Sequence, residues 1–264
     1  MDMESAICRR LVDDSASRAW QLAERTDVGR YLIAARDLAD DEIVFTEKPL
    51  VVARSMSEGE PVMQGEMVAV AMALLREPEG SPACLLQEAD FSADSEGLLA
   101  GNLRTWTLGV LRALKAQRHT PNGSAHEATE EAMSWALSVA SVNVHGGLTP
   151  ARGVLGLLAS MMEHSCSPSA RTDVSSEESG SVVTLRTKRP VKAGESLSIS
   201  YVMQDAPVHE RRRQLRLQHG FVCTCERCAQ ELAAPVGGDE GESQSWKQAW
   251  ETRAWCGVDP YSGQ

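Results

Sequence analysis

The chain has 264 residues, of which 42% are hydrophobic and 24% charged, so it can fold as one or two domains without disulfide bonds. Its 26 Lys and Arg and 37 Asp and Glu give a net charge of −11, which disfavours direct contact with nucleic acid or an anionic membrane and favours a basic partner. The sequence has no run of 18 apolar residues and no signal-peptide core, so we expect an intracellular protein of the nucleus or cytoplasm.

The N-terminal residues predict a polar lead-in followed by short strands. Residues 1–28 are predicted as a short helix and a lead-in. Aliphatic and aromatic residues between turn signals predict strands at 31–35, 43–46 and 50–53. Asp40 and Asp41 are typical of a turn between the first two of these strands.

The middle of the chain predicts helices. Apolar residues recur at helical spacing over 98–118 and 126–142, and residues 62–76 form an apolar run without proline after its start. A further helix is predicted over 151–164. The acidic stretch 81–97 is predicted as a loop.

The C-terminal part returns to strand signals. Residues 181–186 and 196–201 predict two strands separated by a turn at Ala193 and Gly194. Pro207 favours the start of a helix that runs to Gln218 and stops at Gly220, and a Gly-, Ser- and Glu-rich linker follows over 231–245. A helical block inside a β-rich chain predicts an α+β fold and not an alternating βαβ fold.

Three cysteines lie within six residues, in the pattern C-x-C-x-x-C. Cys223, Cys225 and Cys228 can converge on one tetrahedral Zn²⁺, because thiolates at this spacing suit zinc in a reducing compartment. Unliganded thiols are one alternative, and a redox C-x-x-C is disfavoured because no thioredoxin-like βαβ pattern surrounds it. Spacing leaves the fourth ligand open among several candidates, namely Cys166, Cys8, Cys84, Cys256 and His219.

The order of several motifs resembles that of a known family. Gly29-Arg30-Tyr31-Leu32 comes first, and Glu163-His164-Ser165-Cys166-Ser167-Pro168 follows the helical block. The later motifs are Gly194-Glu195-Ser196-Leu197-Ser198-Ile199-Ser200-Tyr201, the run Arg211-Arg212-Arg213-Gln214-Leu215, and Phe221-Val222 leading into the cysteines. Over roughly residues 28–230 the chain resembles the SET-domain protein methyltransferases, and within them the SMYD (SET and MYND) branch.

The resemblance implies an S-adenosylmethionine-dependent enzyme that methylates the ε-amine of a lysine. Tyr201 matches the catalytic tyrosine, and Cys166 matches the fourth zinc ligand beside Cys223, Cys225 and Cys228. The implied cofactor contacts are Gly29, Arg30, Tyr31, Asn143, Glu163, His164 and Phe221. The implied substrate is a lysine-containing protein or peptide, and the acidic net charge suits a basic one such as a histone tail.

The implied fold is a β-rich SET fold of small sheets with an inserted helical block and a zinc-bound post-SET segment. The expected divisions are a lead-in (1–27), two SET parts (28–53 and 151–205), the insertion (54–150), the post-SET segment (206–230) and a tail (231–264). The MYND zinc finger of the branch is expected just after Leu50, but residues 51–83 contain neither Cys nor His. We therefore expect a SMYD-like chain without that finger.

Two residues depart from the family pattern at the cofactor positions. Tyr31 replaces the second glycine of Gly-x-Gly, where the backbone approaches the cofactor. Glu163 replaces an asparagine, and an ionised carboxylate only accepts hydrogen bonds, whereas an amide also donates them. These changes favour an alternative function, a catalytically weak SET-like scaffold that binds other proteins. A zinc-dependent transcription factor fits poorly with the net charge.

Two other features have ordinary structural interpretations. His164 is either a hydrogen-bonded structural histidine or a zinc ligand, and a general-base role is disfavoured. The charge run Arg211 to Arg213, with Arg216, is predicted as the solvated face of a helix.

Overall fold

The structure is a computed structural model that describes most of the chain outside its two ends and parts of the helical block. The described residues are 19–26, 29–54, 62–77, 81–86, 103–105, 107–112, 129–143, 152–177 and 180–234. Cys8 and Cys256, two of the candidate zinc ligands, lie outside these residues, as does the predicted linker beyond residue 234.

The first half of the chain forms short strands and then helices. The strands are β1 (Trp20–Arg25), β2 (Gly29–Ala34), β3 (Ile43–Glu47) and β4 (Val51–Arg54). The helices are α1 (Val62–Leu74), a 3₁₀ turn (Pro82–Leu85), the helical residues 103–105 and 107–112, and α2 (Glu130–Asn143). No helix in the described ranges is long and apolar enough to cross a membrane.

The second half returns to strands and ends in two helices. Its elements are β5 (Arg152–Leu155), a 3₁₀ turn (Ala159–Met161), β6 (Glu163–His164), β7 (Ala170–Glu177), β8 (Gly180–Thr187), β9 (Ser198–Ile199), α3 (Val208–His219) and α4 (Glu226–Ala233). Gly220 ends α3 in the left-handed conformation (φ 76°), as predicted from the sequence.

Within the described residues the strands form small separate sheets, β1–β2, β3–β8–β7, β4–β5 and β6–β9. All these pairings are antiparallel except β6–β9, which is parallel. The β4–β5 pair joins the chain just before the helical block to the chain just after it. The helices between these strands are therefore an insertion, and the predicted α+β fold is confirmed.

The hairpin β1–β2 has one core face and one polar face. Trp20, Leu32 and Ala34 are buried on one face, and Leu22 packs beside them. Tyr31 stands opposite Ala23 on the other face, because side chains alternate along a strand. This alternation explains why the hairpin presents Tyr31 and its neighbours away from the core.

The inserted helices bury their apolar faces against each other and against the β4–β5 pair. Met67 and Val70 of α1 and Met133 and Leu137 of α2 have no solvent exposure. The α2 helix starts at Glu130, later than predicted, because the Thr129 hydroxyl accepts a hydrogen bond from the Ala132 N–H (3.1 Å) and caps the helix.

The structure differs from the sequence predictions at three places. Residues 20–25, predicted within a short helix and a lead-in, form β1 of the first sheet, and the strand β7 was not predicted from the sequence. The helix predicted over 151–164 is instead β5, a 3₁₀ turn and β6, because β4 and β9 supply backbone partners for this segment.

The buried carboxylate of Glu47 holds the turn after β5. Its two oxygens accept hydrogen bonds from the N–H groups of Leu158 (3.0 Å) and Ala159 (2.7 Å). A Cβ at Gly156 would lie 2.9 Å from the Glu47 Cδ, so the turn needs glycine at this close approach. Burial raises the pKa of Glu47 to about 7, although the backbone N–H groups oppose this shift. The turn leads directly into β6, so Glu47 supports the segment that holds the candidate site.

The Glu47 carboxyl gives the first testable prediction, on the pH dependence of stability. Because its pKa in the folded protein lies above the ordinary 4.5, the folded state binds this proton more tightly than the unfolded chain. The stabilising contribution is present below pH 4.5 and is lost as the pH rises toward 7. We expect the free energy of unfolding, relative to that of Glu47→Gln, to fall by about 3 kcal/mol across this window. Urea denaturation of both proteins from pH 4.5 to 7.5 measures it.

Glu42 provides the matched control. Its side-chain hydrogen bond with Arg36 lowers the pKa of its carboxyl, so its contribution is lost only at acid pH. The difference between the native protein and Glu42→Gln should therefore stay flat between pH 4.5 and 7. A flat difference for Glu47→Gln as well would contradict the prediction.

Candidate functional site

The candidate site is organised by the parallel pair β6–β9. Glu163 pairs with Ser198 and His164 with Ile199, and the Ser165 N–H donates to the Ile199 carbonyl (2.9 Å). These two strands come from distant parts of the chain. Their pairing brings the residues after β9, including Tyr201, beside the residues of β6.

His164 links the two chemically distinctive parts of the site. Its Nδ1 accepts a hydrogen bond from the Tyr201 backbone N–H (3.1 Å), so the ring proton must lie on Nε2. Nε2 is 3.3 Å from Cys166 Sγ and donates to that sulfur. Both ring nitrogens are thus engaged, which supports the structural interpretation of His164 and leaves no free nitrogen for a general base.

Tyr201 lies at the junction of the main core and the cysteine-containing core, and it packs against both. Its hydroxyl donates a hydrogen bond to the Met162 carbonyl. Burial, with a further contribution from the negative charge of Glu163, raises the pKa of the phenol above its ordinary value. Tyr201 is therefore a protonated hydrogen-bond donor at neutral pH.

A group of aromatic rings surrounds Tyr201. The His219 ring centroid is 4.8 Å from that of Tyr201, and the His164 centroid is 5.2 Å away. Phe221 completes the group, with its ring 5.9 Å from His164 and 6.3 Å from His219. Burial lowers the pKa of His219 to about 3, so this ring is neutral and adds no positive charge beside Tyr201.

Cys166, Cys223, Cys225 and Cys228 form one cluster, and their sulfur atoms all lie within 4.8 Å of one another. Cys166 Sγ is 4.0 Å from Cys223 Sγ and 3.5 Å from Cys228 Sγ. A tetrahedral zinc with Zn–S bonds of about 2.3 Å separates its sulfurs by about 3.8 Å, so these thiols suit zinc. Burial raises the pKa of the Cys228 thiol to about 11. A bound cation would counteract this shift and favour ionisation of the thiol at neutral pH. His219 is not a member of this cluster.

Arg211 is buried against the cysteine cluster, so the prediction of a solvated face is wrong for this residue. Its side chain is 1% exposed. Its guanidinium donates to the Ala206 carbonyl (2.5 Å), to Glu231 (2.8 Å) and to Cys228 Sγ (3.7 Å). Arg227 also contacts Glu231 and donates to the Cys166 carbonyl (3.0 Å). Two arginines thus place positive charge beside sulfurs that become anionic when they bind a metal.

The residues with implied cofactor contacts occupy three regions of the structure. Glu163, His164 and Phe221 lie around Tyr201. Gly29, Arg30 and Tyr31 lie on β2, where Gly29 has a positive φ of 71°. Asn143 is the last residue of α2, and its amide is buried and donates to the Val139 carbonyl within that helix (2.7 Å).

Arg25 connects the β2 residues to the rest of the site. Its guanidinium lies 4.9 Å above the Tyr31 ring and donates to Glu163 Oε1 (2.9 Å). The second oxygen of Glu163 accepts from the Ser196 hydroxyl. The two residues that depart from the pattern of similar proteins, Tyr31 and Glu163, are therefore joined through one arginine.

Comparison with known proteins identifies the family. A family model described as the SET domain matches residues 29–202, which include β2, β6 and Tyr201. The chain belongs to the SET domain family. SET-domain relatives include a histone-lysine N-methyltransferase SET5 of Meyerozyma guilliermondii, 37% identical over 28% of this chain and 16% of that protein. Another is mouse histone-lysine N-methyltransferase SMYD3, 38% identical over 35% of this chain and 21% of that protein.

Solved structures support the SET fold. The SET domain of LSMT bound to methyl-lysine and AdoHcy has a TM-score of 0.59 at 19% identity, over 81% of this chain and 54% of that one. Rubisco LSMT bound to AdoMet has a TM-score of 0.57 at 17% identity, over 79% and 53% of the two chains. The β-rich SET fold with a helical insertion is confirmed. The matched segments cover less than a quarter of the two curated relatives.

Arg25 and Arg211 were not among the site residues predicted from the sequence of this SET domain. Arg25 precedes the Gly-Arg-Tyr motif, and nothing in its local sequence indicates a contact with Glu163, which is 138 residues away. Arg211 lies in a run of three arginines, and only its burial in the structure distinguishes it from the other two. His219 was predicted only as a candidate metal ligand, whereas the structure places it against Tyr201.

The buried position of Arg211 gives a second prediction. Arg211→Met removes the positive charge beside the cysteines and leaves Glu231 with one arginine partner fewer. We expect the free energy of unfolding of the metal-loaded protein to fall by about 3 kcal/mol. Arg213→Met is the matched control on the same helix, since Arg213 is 46% exposed and its ion pair with Glu210, one turn away, contributes less than about 1 kcal/mol. Chemical denaturation of the three proteins measures this, and equal losses in the two variants would contradict the prediction.

Proposed function

We propose that this SET domain catalyses S-adenosylmethionine-dependent N-methylation of protein lysines. The observation that most supports the proposal is the placement of Tyr201. Tyr201 lies two residues after β9, and its partly buried phenol is protonated. The rings of His164 and His219 lie against it, and Phe221 lies next to both histidines. The two relatives are histone-lysine N-methyltransferases, and a solved neighbour, the SET domain of LSMT, is bound to lysine and AdoHcy, which agrees with this function.

The proposed cofactor contacts are those of the family motifs, Gly29, Arg30, Tyr31, Asn143, Glu163, His164 and Phe221. The chemistry of these residues suits the cofactor. Glu163 accepts hydrogen bonds, as an ammonium group requires, and Phe221 offers an apolar ring near the site. Tyr31 is compatible with this role because its ring lies against Arg25 on the polar face of the hairpin.

Bound S-adenosylmethionine would supply an electrophilic methyl group. The residues of the chain would align a lysine amine with it, and alignment accounts for most of the rate in such a displacement. The amine must be neutral to react, and its ordinary pKa is about 10.4. A buried site lowers that pKa, because desolvation disfavours the charged ammonium. The phenol of Tyr201 would orient the reacting groups, and it does not act as a base because its pKa is raised.

The proposed substrate is a basic protein segment that contains lysine, such as a histone tail. The net charge of −11 favours attraction to such a segment. The two relatives named above are histone-lysine methyltransferases, which points to the same class of substrate. A location in the nucleus or the cytoplasm would give access to such substrates.

Tyr201→Phe tests the catalytic assignment. The change removes one hydroxyl and keeps the ring, so we expect turnover on lysine peptides to fall by about a hundredfold through lost alignment. The affinity for S-adenosylhomocysteine, measured by calorimetry, should stay the same. Mass spectrometry of histone-tail peptides measures the turnover, and Tyr261→Phe serves as the control for removing a tyrosine hydroxyl elsewhere in the chain.

Two outcomes would contradict the proposal. Unchanged turnover in Tyr201→Phe would end the assignment of that residue. If the folded native protein binds no S-adenosylhomocysteine, the scaffold function replaces the enzymatic one, and capture of binding partners becomes the relevant measurement.

We further propose that Cys166, Cys223, Cys225 and Cys228 bind one structural zinc ion. All four positions are filled by protein thiols, which leaves no site for a catalytic water. The purified protein should contain about one equivalent of zinc, and Cys166→Ser should lose both the metal and stability, because metal binding is coupled to folding. Cys84→Ser is the control and should retain the metal. Elemental analysis that finds full zinc in Cys166→Ser would contradict this ligand set.

A further inference from the structure

The polar face of the β1–β2 hairpin contains a charged cluster, formed by Arg25, Tyr31, Glu163 and Ser196. The strand register places Arg25 opposite Gly29 and Ala23 opposite Tyr31, so Arg25 and Tyr31 lie on the same face. The guanidinium covers the Tyr31 ring at 4.9 Å. Gly29, which lies opposite Arg25, has no side chain, and Arg25 extends across to Glu163 of β6.

Glu163 is the inner member of the cluster. Its side chain is 17% exposed, whereas that of Arg25 is 47% exposed. One carboxylate oxygen binds Arg25 Nη2 at 2.9 Å, and the other accepts from Ser196. Two partners, Arg25 on β1 and Ser196 just before β9, therefore hold the carboxylate in one orientation, with the more exposed arginine on its solvent side.

Arg25 and Glu163 together donate and accept hydrogen bonds, whereas a single amide does both. An asparagine amide offers one acceptor and two donor hydrogens, whereas an ionised glutamate only accepts. An arginine only donates, through five N–H groups in a planar arrangement that suits carboxylates. Glu163 and Arg25 together thus present an acceptor and a donor side by side. The α-amino-acid group of a ligand needs this combination, because its ammonium donates and its carboxylate accepts.

We propose that Arg25 and Glu163 jointly bind the zwitterionic amino-acid end of the cofactor, with the ammonium at Glu163 and the carboxylate at Arg25. The inference rests on the proposed function and adds Arg25, a residue outside the family motifs, as a determinant of cofactor binding. It also explains how Glu163 is accommodated. Arg25 neutralises its charge and supplies the donors that a carboxylate lacks.

The proposal assigns Arg25 to one chemical group of the ligand. Without Arg25, the charge on Glu163 would repel the ligand carboxylate and would still attract its ammonium. A ligand that keeps the amine but has no carboxylate should therefore be insensitive to Arg25. S-Adenosylhomocysteine and its decarboxylated form, which has a 3-aminopropyl thioether, provide this comparison.

The experiment measures the binding of both ligands by calorimetry. We expect Arg25→Gln to weaken S-adenosylhomocysteine binding by about ten- to a hundredfold, as for the loss of a charge-assisted hydrogen bond, and to change binding of the decarboxylated ligand by less than about threefold. Arg36→Gln is the matched control, since Arg36 is similarly exposed (46%) and pairs with Glu42. It should leave the binding of both ligands unchanged.

A second variant covers the case in which Arg25→Gln leaves Glu163 uncompensated and folds poorly. Arg25→Gln combined with Glu163→Asn leaves no unpaired charge and provides an amide with both donor and acceptor. It should bind S-adenosylhomocysteine more tightly than Arg25→Gln alone.

Three results would overturn the inference, and they differ from failure of the proposed function. One is unchanged binding of S-adenosylhomocysteine by Arg25→Gln, and another is an equal loss for both ligands, which would make Arg25 purely structural. The third is a double variant that binds no better than the single one. In each of these cases the native protein still binds the cofactor product. If the native protein binds neither ligand, the proposed function itself fails, and this inference fails with it.

Discussion

The two-residue parallel pairing of β6 with β9 is the constraint on which the rest of the site depends. It is short, but hydrogen bonds on both sides reinforce it. His164 bonds to Cys166 Sγ and to the Tyr201 backbone, and Glu163 bonds to Ser196. A metal at the cysteines would stabilise this pairing through His164, because Cys166 belongs to the same segment. The proposed zinc site and the proposed catalytic tyrosine are therefore connected through the hydrogen bonds of His164.

Arginines balance the buried and half-buried anions of this acidic protein at two places. Arg211, with Arg227, lies beside the cysteine cluster, and Arg25 lies beside Glu163. Glu47 differs from both, because backbone N–H groups replace an arginine and burial keeps the pKa of its carboxyl high. An ion pair keeps an acidic group ionised at the candidate functional site. The turn after β5 requires only hydrogen bonds, and a carboxyl with a raised pKa can form them.

Local patterns predicted the elements whose own residues give a clear strand, helix or glycine-stop signal. The strands at β2, β3 and β8, the helices α1 and α3, and the glycine stop at Gly220 were all anticipated. The segment 152–164 was mistaken for a helix because its apolar residues fit either structure. Only pairing with β4 and β9 decides between them, and both strands are far away in the chain.

The sequence by itself determined the α+β class, the helical insertion, the motif residues and the candidate zinc ligands, because these follow from residue type and spacing. Only the tertiary structure decided that Cys166 joins the other three cysteines within the described residues, and that His219 packs against Tyr201 instead. It alone showed Arg211 to be buried and Arg25 to be paired with Glu163. The physical reason is that charge compensation and burial depend on contacts between distant residues, such as Arg25 and Glu163, which are 138 positions apart, and local spacing does not encode these contacts.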